Sequence, residues 1–159
     1  MFDHIFDYFI PICIASLIIP GIFFYFQNKK IITKYKQPDS RILKNINGKI
    51  VTDKGVLKKS FRWCRFDILL NQNSVFLFPK DFYFIPARFI NLTFYFDKKN
   101  TKSPTGLRSF SIHKNTVTLL SYPNFLVNGK RTIYLQNLTP EQIQFFQEAL
   151  KNRMPSVLH

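Results

Sequence analysis

The sequence predicts an N-terminal transmembrane helix joined to a mainly-β domain of antiparallel strands that ends in one amphipathic helix. Three features point there: an uncharged apolar run from Tyr8 to Phe26, a period-two hydrophobic pattern over most of the chain beyond it, and a return to helical spacing after Thr139. With 159 residues the chain has room for one domain plus an appendage. The expected divisions are residues 1–28 as transmembrane anchor, 29–47 as basic juxtamembrane linker, 48–154 as the β domain and 155–159 as tail.

The run YFIPICIASLIIPGIFFYF holds 19 residues without a charge. At ~1.5 Å per residue it spans about 28 Å as a helix, close to the ~30 Å hydrocarbon core of a bilayer. Tyr8 and Tyr25 sit near its ends, where amphipathic rings favour the headgroup level. Pro11, Pro20 and Gly21 are tolerated in a membrane helix more readily than in a soluble one. The leading segment MFDHIFD has Asp3 and Asp7 and no Lys or Arg, which does not suit a cleaved signal peptide. All 23 Lys and Arg residues lie at or after Lys29. The positive-inside rule therefore puts the N-terminus outside the cell (inner) membrane and the domain in the cytosol, with Lys29, Lys30, Lys34 and Lys36 as leaflet contacts.

Ile31–Tyr35 extends the helix by a turn before Pro38-Asp39-Ser40 breaks it. A connector, RILKNING, then leads to a first strand near Lys49. In WCRFDILL, Cys64, Phe66, Ile68 and Leu70 alternate with Arg65, Asp67 and Leu69, giving a buried face and a wetter one. Asn71–Ser74 turns this strand into SVFLF as a hairpin. Pro86 splits Phe82–Phe96 into two strand segments, and DKKNTKSPTG is a loop. RSFSIH and TVTLL pair around Lys114-Asn115. NFLV and RTIYLQ flank Asn128-Gly129, a strong hairpin signal. Thr139 then caps a helix with Pro140 at its first position and Gln142 completing a capping box. Leu138 and Ile143 are spaced as a hydrophobic staple, and Ile143, Phe146 and Leu150 line one face. Lys151 and Arg153 suit the helix dipole, and Pro155 ends the helix.

The opening GKIVTDKGVLKK, the hairpins and the closing TPEQIQFFQEAL together resemble the pleckstrin-homology-like superfold, of which small membrane-tethered versions occur in bacteria. The resemblance covers roughly Gly48 to Arg153. It implies a bent antiparallel barrel with one open end plugged by the C-terminal helix. Typical members carry a Trp in that helix, whereas the single Trp here is Trp63. A small open barrel or a two-layer α+β sheet is the alternative architecture.

A net charge of +14 calls for an anionic partner surface. The tether favours the membrane leaflet over nucleic acid, which is not expected as a partner, and no basic-aromatic recognition motif is present. The nine acidic residues are scattered, and no HExxH, CxxC, GxSxG or glycine-rich phosphate loop occurs. No catalytic residue, cofactor or metal is expected. Cys13 falls in the apolar run, and Cys64 reads as a small core residue. Basic residues crowd the start of the domain: Lys54, Lys58, Lys59, Arg62 and Arg65. In pleckstrin-homology-like lipid binders, basic residues of the first hairpin hold headgroup phosphates, and KKSFRWCR resembles that arrangement. The expectation is a noncatalytic, membrane-anchored cytosolic module that binds a protein partner at the anionic leaflet. A phospholipid-headgroup-binding domain is the first alternative, and a membrane enzyme or enzyme-complex subunit the second.

Overall fold

Seven strands hydrogen-bond in a ring, and one long helix leaves that ring along its side. The computed structural model describes residues 3–54, 58–94, 100–124 and 129–151. Helix α1 (Asp3–Tyr35) precedes β1 (Arg41–Asp53), β2 (Lys59–Leu70), β3 (Ser74–Asp81), β4 (Ile85–Pro86), β5 (Ile90–Thr93), β6 (Pro104–His113), β7 (Thr116–Ser121), β8 (Lys130–Gln136) and α2 (Pro140–Lys151). The order β2-β1-β8-β7-β6-β5-β3 is closed by pairing of β3 with β2, and β4 is a two-residue flap on β3.

The in-facing residues follow from strand alternation. Cys64, Phe66, Ile68 and Leu70 of β2 meet Val75, Leu77, Val117, Leu119, Ile133 and Leu135 in one buried cluster. Gly48 of β1 sits where the barrel is tightest: a Cβ there would overlap the Tyr134 carbonyl and the Phe66 ring. Phe146 and Leu150 of α2 are fully buried in the same cluster, with Ile143, Phe145 and Ala149 packed against it. The cap forms as its sequence predicts. The Thr139 N–H donates to Gln142 Oε1 at 2.9 Å, and the Gln142 N–H to Thr139 Oγ1 at 3.3 Å. A closed barrel with a C-terminal helix is thus present.

Four details differ from the expectations. First, the connector RILKNING is already strand: β1 begins at Arg41, and Leu43 and Ile46 both reach the core. A bulge between them puts Asn45 at a φ of 57°, and its N–H donates to Asp67 Oδ1 at 3.0 Å. Second, the barrel is not wholly antiparallel, because β5 and β6 run parallel. The chain after β5 crosses back to the end where β5 began, and a reciprocal amide pair between Asn91 and Asn100 (2.7 and 3.0 Å) holds the crossing. The start of the expected loop, Asp97–Lys99, Phe125–Val127 of the expected strand NFLV and Asn128 of the Asn-Gly turn lie outside the described residues, as do Arg153 and Pro155. Third, Leu69 is buried rather than on a wet face. Fourth, Ile31–Tyr35 continues α1 as expected, but Ile31, Ile32 and Tyr35 also pack on the barrel, a contact the sequence does not predict.

The last two differences have one cause. Ile31, Ile32 and Tyr35 of α1 cover Leu69, Phe76, Phe78 and Phe89 on the outside of β2 and β3, with Tyr35 stacked on Phe76 at 5.0 Å between centroids. Asn28 Nδ2 donates to the Ala87 carbonyl at 3.4 Å. Contacts therefore step from Phe76 to Ala87 to Ile85 as α1 is followed back from Tyr35 to Gly21. The rest of α1 stays bare. Phe9, Ile12, Ile18, Ile19, Ile22 and Phe26 are more than half exposed, a larger apolar surface than water-soluble monomers ordinarily leave open. Helix α1 is long and apolar enough to span a membrane.

Candidate anion-binding site

The barrel has two unlike ends. At one end lie the start of β1, the β2–β3 and β6–β7 turns and α2, where the Arg41 guanidinium stands 5.1 Å from the Phe145 ring and the Leu138 N–H donates to the Asn115 carbonyl. At the other end β1, β3 and β7 finish and β2, β6 and β8 start, as the registers Asp53↔Lys59, Asp53↔Lys130 and Ser121↔Arg131 require. Among the described residues no helix fills this second end. It opens as a cavity of about 400 Å³.

Arginines line it. Arg62 occupies the same in-facing phase of β2 as Cys64 and Phe66, and Arg131 the same phase of β8 as Ile133 and Leu135. Each stands one in-facing position beyond the apolar core residue of its strand, Arg62 beyond Cys64 and Arg131 beyond Ile133. Arg88, between β4 and β5, joins them, with Thr52, Asn91, Thr105 and Asn124 supplying neutral polar groups around the wall. Asp81 holds Arg62 in place by two contacts, the Nη2–Oδ2 one at 2.8 Å. Burial, and then the like charges of Arg62 and Arg88, push Arg131 below its ordinary pKa. A guanidinium so placed gains from any anion that enters, and paired guanidiniums match the oxygens of phosphate or carboxylate in bidentate fashion.

Of the basic residues that crowd the start of the domain in sequence, Lys54, Lys58, Lys59 and Arg62 gather at this open end. Only Arg62 lines the cavity; the three lysines are exposed on the β1–β2 turn. Arg65 faces outward instead, bonded to Asn47 Oδ1 at 3.3 Å and lying 5.1 Å from the Tyr83 ring. Arg131 and Arg88 stand outside that sequence cluster. The signal for Arg131 is present in RTIYLQ, whose alternation puts an arginine in phase with Ile133 and Leu135. Arg88 carries no such signal, because the irregular stretch around Pro86 has no period to read. Lys29 and Lys30 are exposed on α1, Lys29 over the Tyr25 ring at 5.0 Å, and Lys34 and Lys36 lie near the opposite, α2-bearing end of the barrel.

Cys64 is fully buried, and its thiol is pushed up to about 12, chiefly by burial. Among the described residues no group of three or more His, Cys, Asp and Glu could hold a metal ion. No protein-family model and no curated protein matches the chain.

Proposed function

We propose that this chain is a single-pass membrane protein, with a pleckstrin-homology-like barrel whose arginine-lined mouth takes the anionic phosphate headgroup of a lipid in the leaflet at the foot of α1. The observation that carries this reading is directional. The bare apolar part of α1 departs from the same end of the barrel at which Arg62, Arg88 and Arg131 converge. Arg88 also borders Phe23, Phe24 and Gln27 of α1 in a second recess, with Lys102 and Ser103. With Tyr8–Phe26 in the bilayer, that level is the headgroup layer. The mouth then opens onto lipid, Lys54, Lys58 and Lys59 face the same surface, and Lys29 and Lys30 follow within one turn. Lys34 and Lys36 stand about 12–15 Å beyond Phe26, more than a Debye length of ~8 Å, and contribute little to the leaflet.

The cytosolic side follows from the charge asymmetry around α1. A protein partner at the same leaflet is the second reading, favoured by Phe61 and Trp63 on the outer face of β2, which are 65% and 60% exposed.

The full chain should be reconstituted into vesicles holding a phosphate-monoester lipid or, at the same surface charge, phosphatidylserine. The monoester should raise the unfolding temperature more, since a ligand bound only by the folded state stabilises it. Arg131→Met should remove that difference, and Lys58→Ala should not. Equal stabilisation by both lipids, reduced alike by any single charge removal at about 1 kcal/mol or less, would mean diffuse docking without a pocket.

A further inference from the structure

The hairpin that links β3 to β4 is built against its own backbone preferences. Phe82 and Tyr83 have φ of 48° and 68°, and the Phe84 N–H donates to the Asp81 carbonyl at 3.1 Å. Asp81–Phe84 is therefore a β-turn with both central residues left-handed, inside a three-residue loop closed by the pair Asp81 and Ile85, and such positions are ordinarily filled by Asn or Gly. A Cβ in that conformation crowds the following carbonyl, so each of the two residues is strained. Packing inside the protein returns little of this. Phe82 is 71% exposed, Tyr83 53% and Phe84 73%. Arg65 over Tyr83 is the one ring contact at the tip among the described residues. Three exposed aromatics held by a strained turn point to a contact made outside the barrel.

The position of the tip says what that contact is. Ile85 packs on Gly21 of α1, where an added Cβ would stand 3.3 Å from Ile85 Cγ2. Phe84, Ile85 and Pro86 share an apolar recess with Ile18, Ile22 and Phe26. Gly21 lies about 8 Å inside the Phe26 end of the apolar run, at ~1.5 Å per residue. Immediately behind the tip, Lys29, Lys44 and Lys80 line a second recess with Tyr25, Tyr83 and Asp67, the last paired with Lys80 at 2.8 Å and leaving Lys29 and Lys44 to supply its net positive charge. Apolar rings in front and ammonium groups behind match the order of acyl chain and phosphate in a leaflet, at the depth of about 5–10 Å typical of interfacial side chains.

We propose that Phe82-Tyr83-Phe84 is a membrane-inserted wedge, seated at the headgroup–acyl boundary of the leaflet that α1 crosses. The proposal rests on the reading of α1 as a span. The wedge is a second attachment beside α1, and two attachments fix the tilt of the barrel so that its arginine mouth stays on the headgroups. Lipid fits better than a protein groove because the tip is continuous with the bare surface of α1 at Ile18 and Ile22, which has the same requirement.

The test uses the full chain in phosphatidylcholine–phosphatidylglycerol vesicles, with Phe84→Trp as the only indole in a Trp63→Phe background. Its emission should be blue-shifted and should be quenched by lipids brominated near the carbonyl end of the chain. In the same protein, Phe82→Asn with Tyr83→Gly suits the turn, so the melting temperature should hold or rise while the quenching falls several-fold. A solvated, unquenched indole on a protein that resists alkaline extraction overturns the wedge and leaves the anchor standing. Quenching that ignores the double substitution also overturns it, because α1 alone would then set the depth. Release of the protein by alkaline extraction removes the span itself.

Discussion

Cys64 gives the most direct measure of what burial does to a single group here. Its side chain has no exposure, and the thiol is pushed up to about 12 by desolvation, with Arg62 opposing and Asp81 adding. The unfolded chain ionises this thiol near its ordinary value of ~8.5, whereas the folded chain does not. Folding thus loses stability as pH rises from about 8.5 toward 12, and the contribution is whole below that window. Denaturation midpoints of the wild type should fall more steeply with alkaline pH than those of Cys64→Ala, which has no thiol to ionise. Parallel curves would refute the assignment. The core role of Cys64 is legible in WCRFDILL, since period-two spacing alone places it among Phe66, Ile68 and Leu70. The same rule misplaces Leu69, because alternation describes one covered face and here a helix from far back in the chain covers the other.

Among the elements, α2 is the most legible in sequence, because its cap, staple and apolar stripe are all local. Its energetic weight depends on the barrel it fills. Phe146 is fully buried among residues of several strands, whereas Phe145 lies half-covered under Arg41. Phe146→Ala should lower stability by about 3–5 kcal/mol, and Phe145→Ala by clearly less, in thermal melts of the full chain. Equal and small effects would mean that α2 is not part of the core. The strand β3 carries a signal that alternation does not exhaust. SVFLF is apolar on both faces, as a strand covered on both sides should be, and Phe76 and Phe78 are the residues that α1 covers. The parallel seam of β5 and β6 leaves no mark in the sequence, because it depends on where the loop between them crosses rather than on which residues pair. The arginine mouth is half legible: Arg62 and Arg131 are in phase with core positions, and only closure of the ring shows that both phases end at one place.

At the scale of the whole molecule, the direction of α1 along β3 decides what the barrel can meet. A barrel on a loose tether could present any face to the bilayer, and its +14 charge would then act as a diffuse attraction. Docking of Ile31, Ile32 and Tyr35 on the outside of β2 and β3 removes that freedom. On the proposed reading of α1 as a span, the mouth faces whichever leaflet α1 enters, so sidedness becomes a chemical matter. Anionic lipids are concentrated in the cytoplasmic leaflet, where each well-placed basic residue gains about 1 kcal/mol. All Lys and Arg residues lie at or after Lys29, so a C-terminal reporter should behave as cytosolic, and a cysteine placed at Asp3 should label from outside intact cells. The buried Cys64 thiol should stay silent in that assay. Several lysines inserted before Tyr8 should produce a mixed population, since orientation counts basic residues on the two flanks. Cleavage of the barrel by external protease in intact cells would reverse the assignment. The mouth would then still face a bilayer, but the leaflet poorer in anionic headgroups, and the arginines would need a ligand other than lipid.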